Sequence, residues 1–208
     1  MQVGLISDIH GNAKALDAVW RALGPLAEST VLNAGDNAGY GNAPEPCCRF
    51  LREHSNIVCV QGNYDKHVAQ FPEQDAEFKR KWGRSRPEKY TAIARDSGLI
   101  SEASRAWLRT LPQEANLTLA GTSIILTHYS PGSKEGLGTW TPDSRLRELA
   151  ARTDAKVVVC GHTHTPFARE AGGVLFVNPG SVGRGWTVCY AVLTLTPDAP
   201  PRAELKRL

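Results

Sequence analysis

The chain has 208 residues, with 24 Lys+Arg against 21 Asp+Glu and a formal charge of +3, a surplus too small to mark a nucleic-acid-binding or membrane-surface protein. That length suits a single domain, residues 1–208, able to bury roughly 70% of its unfolded surface without added staples. Five cysteines, Cys47, Cys48, Cys59, Cys160 and Cys189, are odd in number and fit neither a Cys-x-x-Cys nor a zinc-ribbon spacing, which excludes a disulfide scaffold and suits a reducing compartment.

The opening MQVGLISD lacks the basic and long apolar regions of a leader, and no apolar run approaches the ~18 residues of a membrane span. A cytoplasmic protein with no membrane attachment is therefore expected. The first apolar run, VGLIS (3–7), has strand length and runs into ISDIHGN, which offers Asp8 and His10. Asn12 follows as the expected N-cap of a helix over AKALDAVWRALG (13–24). TVLNA (30–34) leads into NAGDN with Asp36, and NIVCV (56–60) into QGNYD with Asn63, Tyr64 and Asp65. The segment from Phe71 to Pro87, holding Lys79, Arg80, Lys81, Arg84 and Arg86, reads as a basic insertion over the body of the fold. These cations are expected either to form a solvated face or to line an approach for a polyanionic substrate. A helix over SRAWLRTL (104–111) ends at Pro112. The strand SIILT (123–127) then delivers His128, KVVVC (156–160) delivers His162 and His164, and LFVN (175–178) precedes NPGSVGRGW with Arg184. After YAVLTL (190–195), the Pro-rich tail PDAPPRAELKRL (197–208) is expected to be mobile.

Strands alternating with helices imply an α/β fold, and several strand-like runs end in residues that can ligate metal. In extended backbone, residues i and i+2 share a side, so Asp8 with His10 and His162 with His164 are each expected to converge. The expected meeting point is the crevice beyond the carboxyl ends of the strands. Taken singly, Asp36 and Asn63 are ordinary turn residues and Asn12 an ordinary cap. Four of the six histidines at strand ends, together with two carboxylates, make a joint metal site the better reading. Cys160, at the end of a strand, reads as a packed thiol.

The motifs Asp8-x-His10, Gly35-Asp36, Gly62-Asn63-x-Asp65, His128 and Gly161-His162-x-His164 resemble, in order, those of the calcineurin-like metallophosphoesterases. SDIHGNAKALDAV, GDNAGYGNAPE, GHTHTPF and NPGSVG are similar to the family's prokaryotic phosphodiesterase and phosphatase branch. The resemblance implies a four-layer α-β-β-α sandwich with two central mixed sheets. It further implies two divalent ions, one held by Asp8, His10, Asp36 and His164, the other by Asp36, Asn63, His128 and His162, with Asp36 bridging. The oxygen and nitrogen donors suit Mn, Fe, Ni or Zn alike. Two such ions outweigh the two aspartates and a bridging hydroxide, and an amide at position 63 preserves that positive excess for an anionic phosphoryl group.

The implied activity is hydrolysis of a small-molecule phosphate ester, preferably a diester, by the bridging hydroxide. A nucleotide or protein monoesterase is the alternative within enzymes, and a non-catalytic scaffold on the same fold is the alternative outside them. No specific nucleic-acid partner is implied, and a homo-oligomer is left open. Much of the family has a histidine where this chain has Tyr64, held by the aspartate that follows. Tyr64 is a weaker general acid at neutral pH, and Asp65 is expected either to orient its phenol or to cap a helix beginning at KHVAQ. Arg184 stands where the family's last loop carries an arginine. It is expected either to contact the substrate phosphate or to be a solvated loop residue.

Overall fold

A computed structural model describes all 208 residues. β1 (Gln2–Ile6), β2 (Val31–Asn33) and β3 (Ile57–Cys59) run parallel. β9 (Cys189–Thr194) lies antiparallel to β1 and β10 (Arg202–Arg207) antiparallel to β9, completing the order β10-β9-β1-β2-β3. In the second sheet β5 (Thr122–Thr127), β6 (Val157–Val159) and β8 (Val174–Asn178) are parallel. β4 (Glu114–Leu119) and β7 (Phe167–Ala171) add antiparallel edges, giving the order β4-β5-β6-β8-β7.

The strand period of two decides the layers. Val3, Leu5, Leu32, Ile124, Leu126, Val157, Val159, Val177 and Leu193 meet in one core between the two sheets. Residues of the opposite parity turn outward: Ile6 and Val31 toward α1 (Ala13–Leu23) and α2 (Pro44–Glu53), and Ile125, Val158 and Phe176 toward α6 (Asp143–Ala150). Because both faces of the parallel strands are covered, those strands read as continuous apolar runs. The result is the expected four-layer α-β-β-α sandwich.

A fourth core, Tyr64, Val68, Phe78, Trp82, Ile93 and Leu108, joins α3 (Asn63–Trp82), α4 (Pro87–Leu99) and α5 (Glu102–Thr110). Helix α3 begins at Asn63 rather than Lys66 and carries Pro72 in its interior. Proline lacks the N–H that would reach the carbonyl of Val68, and Arg105 supplies one instead, donating from Nη1 at 3.2 Å. Arg109 donates to the neighbouring carbonyl of Ala69, at 3.1 and 2.8 Å. Residues 71–82 of the basic stretch therefore continue α3, and residues 83–86 turn into α4. The tail expected to be mobile is corrected at its end: residues 202–207 pair along β9 because their backbone completes the edge of the first sheet. No helix is long and apolar enough to cross a membrane.

Candidate metal centre

The loops that leave β1, β2, β3, β5, β6 and β8 gather at the carboxyl ends of the parallel strands and are stitched together by backbone. Asp8 N donates to Gly35 O (2.8 Å), His10 N to Asp36 O (2.9 Å), Gly161 N to His128 O (3.1 Å) and Gly183 N to Asp8 O (2.9 Å). Asn12 caps α1, accepting from Ala15 N at 3.1 Å, and its amide also donates to Gly183 O at 3.2 Å.

The extended spacing expected for the paired ligands is corrected here. Asp8 (φ 54°), His10 (50°), Asp36 (58°), His162 (68°) and His164 (57°) all adopt left-handed backbone. Each such non-glycine residue costs roughly 1–3 kcal/mol, a strain that concentrates at functional sites. Alternate left-handed residues beyond the strand ends, and not pleat geometry, turn these side chains toward one another. Gly62 makes the close approach possible, since a Cβ there would fall on the Asp36 carboxylate and amide.

Asp8 Oδ2 accepts from the Ser7 hydroxyl (2.6 Å) and from His162 N (3.0 Å). Its buried Oδ1 has no hydrogen-bond donor and faces Nε2 of His164 (3.1 Å) and of His10 (3.7 Å). The Nε2 atoms of His10 and His164 are themselves 3.0 Å apart. Asp36 Oδ1 accepts from Tyr64 N at 2.7 Å, while Oδ2 lies 3.9 Å from His10 Nε2 and 3.4 Å from His128 Nε2. Asn63 Oδ1 completes the far side, 3.3 Å from His128 Nε2 and 3.0 Å from His162 Nδ1. Thus Asp8, His10 and His164 form one ligand group, and Asp8, Asp36 and His128 another, each with its ligand atoms within 4.8 Å of one another. Asn63 and His162 adjoin the second.

The orphaned Asp8 oxygen and the facing imidazole nitrogens fit cations. His10 Nδ1 lies 3.3 Å from Ala38 O and His128 Nδ1 2.7 Å from Ala34 O, contacts that place the ring proton on Nδ1 and leave the Nε2 lone pair for a ligand role. Burial pulls the His10 imidazole down, favouring its neutral form. Burial also pulls on His128, but the Asp36 charge outweighs it and raises the ring to about 9. Burial raises both aspartates, yet neighbouring imidazoles hold Asp8 and Asp36 below the usual carboxylate range. A proton on His128 and a divalent cation thus compete for one lone pair.

Asp65 does not hold the Tyr64 phenol. Its oxygens accept from the backbone N–H groups of Asp36 (2.9 Å), Asn37 (2.8 Å), Ala38 (3.1 Å) and Gly62 (3.0 Å). Asn37 Nδ2 adds a further bond at 3.0 Å. Asp65 therefore fixes the loop that carries Asp36, besides closing the first turn of α3. Helix α4 holds the next part of that loop, where Gly39 N donates to buried Asp96 at 2.6 Å. The Tyr64 hydroxyl instead bonds that of Tyr40, and burial pushes the Tyr64 phenol well above its ordinary range.

Both rings pack edge-on to His10, with centroids 5.5 Å (Tyr40) and 5.2 Å (Tyr64) away. Exposed Arg184 stacks its guanidinium 3.4 Å above the Tyr40 ring. On the opposite flank Tyr129 packs on His162 at 4.5 Å and donates its hydroxyl to Asn63 Oδ1 at 3.0 Å. Tyr40, Tyr129 and Ser7 escaped the sequence reading, although Tyr129 and Ser7 each adjoin a named ligand, and that adjacency was the available signal. Cys160 is fully buried, with its Sγ directed at Val177 O, 3.6 Å away.

The family model "Calcineurin-like phosphoesterase superfamily domain" matches residues 1–198. An uncharacterized protein of Methanocaldococcus jannaschii is 27% identical over 197 residues, covering 88% of this chain and 76% of that one. A protein of Methanothermobacter thermautotrophicus named "Probable metallophosphoesterase" is 25% identical over 187 residues, with 87% and 77% covered. The crystal structure of a metallophosphoesterase from Sphaerobacter thermophilus shares the fold with a TM-score of 0.78 at 21% identity, over 100% of this chain and 88% of that one.

Proposed function

This chain belongs to the calcineurin-like phosphoesterase superfamily, and from that premise we propose that it hydrolyses a small-molecule phosphodiester at a centre of two divalent cations. The observation that carries the reading is Asp36 Oδ2, which stands between His10 Nε2 at 3.9 Å and His128 Nε2 at 3.4 Å. In this assignment Asp8, His10, His164 and Asp36 hold one ion, and Asp36, Asn63, His128 and His162 the other. The absence of thiolate from these ligands suits Mn, Fe, Ni or Zn. Two bound ions would lower the pKa of a water toward ~7 and clamp the phosphate oxygens for in-line displacement.

The protein's own residues supply orientation. Asn63 contributes an oxygen without a negative charge, which leaves the site attractive to a phosphate. Arg184, steadied by its stack on Tyr40, is assigned to the phosphate, where its planar fork offers two parallel N–H donors. The Tyr64 hydroxyl is assigned as a hydrogen-bond donor toward the leaving-group oxygen once it gives up its bond to the Tyr40 hydroxyl, since a phenol with a raised pKa donates a hydrogen bond but gives up its proton poorly. Asp65 acts through the Asp36 loop as a positioning residue.

Aromatic side chains flank the ligand group twice, as Tyr40 with Tyr64 beside His10 and as Tyr129 beside His162. A diester has two substituents to lay against two flanks, whereas a monoester has one. Five buried free cysteines suit a reducing compartment, so a cytoplasmic setting is part of the proposal. The test is steady-state hydrolysis of bis(p-nitrophenyl) phosphate and p-nitrophenyl phosphate by the full chain loaded with Mn²⁺. A higher kcat/KM for the diester is expected, and bound metal with neither ester turned over would overturn the proposal in favour of a scaffold.

A further inference from the structure

Lys89 lies in the first turn of α4, where a cation opposes the helix dipole. It has no ion-pair partner, and burial pulls its pKa down, an effect that the Asp36 charge only partly offsets. Its ammonium is half-buried between two aromatic rings, 5.1 Å from the Tyr64 centroid and 4.4 Å from that of Trp82. Two contacts in series, His10 to Tyr64 at 5.2 Å and Tyr64 to Lys89 at 5.1 Å, tie this cation to the ligand group. Lys81 stands on the same Trp82 ring at 5.2 Å, and Arg86 caps the same helix as Lys89, its carbonyl accepting from Lys89 N at 3.1 Å. Three cations without a carboxylate partner repel one another, and locally only the ring contacts of Lys81 and Lys89 offset that repulsion. Aromatic faces hold Lys89 in place while leaving its three N–H donors free of acidic partners.

We propose that Lys89, backed by Lys81 and Arg86, forms a second anion subsite on the Tyr40–Tyr64 flank of the ligand group. The substrate then carries, beside the ester that is cleaved, a further phosphate. This rests on the phosphoesterase reading for the first phosphate only. The second subsite is defined by the Lys89 cage itself. It gives part of the basic stretch a role distinct from surface solvation: Lys81 and Arg86, exposed like Lys79, Arg80 and Arg84, are the ones that adjoin Lys89 or its ring cage.

Calorimetric binding to the Mn²⁺-loaded full chain tests the proposal without requiring turnover. The probes are propyl phosphate and 1,3-propanediol bisphosphate. The bisphosphate should bind at least about tenfold more tightly, the gain expected of one charge-assisted hydrogen bond. Lys89→Ala should reduce that ratio to about twofold, the statistical advantage of two equivalent ends. Lys89→Arg should largely preserve it, and Lys156→Ala, at the opposite end of the second sheet, should leave it unchanged. A ratio of two or less in the unmodified protein, or an unaltered ratio in Lys89→Ala, would overturn the subsite. An intact Lys89-dependent ratio with no ester hydrolysed would uphold it and sink the hydrolase reading instead.

Discussion

Asp36 accepts an N–H on one oxygen and turns the other between two imidazoles, so its replacement is felt on both sides of the site. Asp36→Asn should lower bound metal from two ions to one or none and cut turnover more than about a hundredfold, exceeding the loss typical of an outer partner. Two retained ions with a near-normal rate would defeat the bridging role. His128 gives a pH signature in the metal-free protein. Its folded pKa of about 9 lies above the ordinary value of 6.5, so its contribution to stability is fully present below pH 6.5 and disappears as pH rises through 9. Melting temperature of the metal-free chain should fall across that interval while Mn²⁺ affinity rises, because the proton and the ion share one nitrogen. A melting temperature flat across it would contradict the His128–Asp36 pairing. At Tyr64, the commitment of Asp65 to backbone amides removes the support an imidazole would need. Tyr64→His should therefore fall short of the ~10²–10⁴-fold gain that general acid catalysis can give alkyl esters; a gain in that range would require Asp65 to be free.

At the scale of elements, the loop after β2 is shaped by the helices beyond it. Asp65 of α3 satisfies four backbone N–H groups and Asp96 of α4 another. Asp65→Ala would leave buried donors unpaired, and a loss on the order of 3–5 kcal/mol is expected, as for the breaking of a buried polar network. Urea unfolding of the variant measures it, and a loss under ~1 kcal/mol would show the loop to be held by other contacts. The sequence made some elements plainer than others for related reasons. β1, β5, β6 and β8 are covered on both faces and stand out as apolar runs. β10, with Ala203 and Lys206 half-buried between exposed neighbours, and β4, with Leu117 and Leu119 half-buried, are edge strands with diluted patterns. The continuation of α3 beyond Phe71 was hidden by Pro72 and by its charged second half, because the arginine that satisfies the carbonyl freed at Val68 comes from α5, more than thirty residues away.

For the molecule as a whole, the candidate ligand types were legible because few side chains bind metal and here they sit just beyond strand ends, two each after β1 and β6, from Asp8 to His164. Their convergence through left-handed backbone was not legible, since φ near 55° at an aspartate or histidine is imposed by the stitching of separate loops. Nor was the pairing of Tyr64 with Tyr40, which depends on how α3 meets the loop after β2. The same assembly that accepts this strain creates the buried, donorless oxygen of Asp8 facing two imidazoles, a donor set that fits a cation. The central claim is a two-ion centre organised around Asp36. Its most direct measurement is the metal content of the full chain after equilibration with Mn²⁺ and removal of free ion, counted by elemental analysis against protein concentration. Two ions per chain, bound with a rise in melting temperature, is the predicted result; none, or a single ion that persists unchanged in Asp36→Asn, would contradict it.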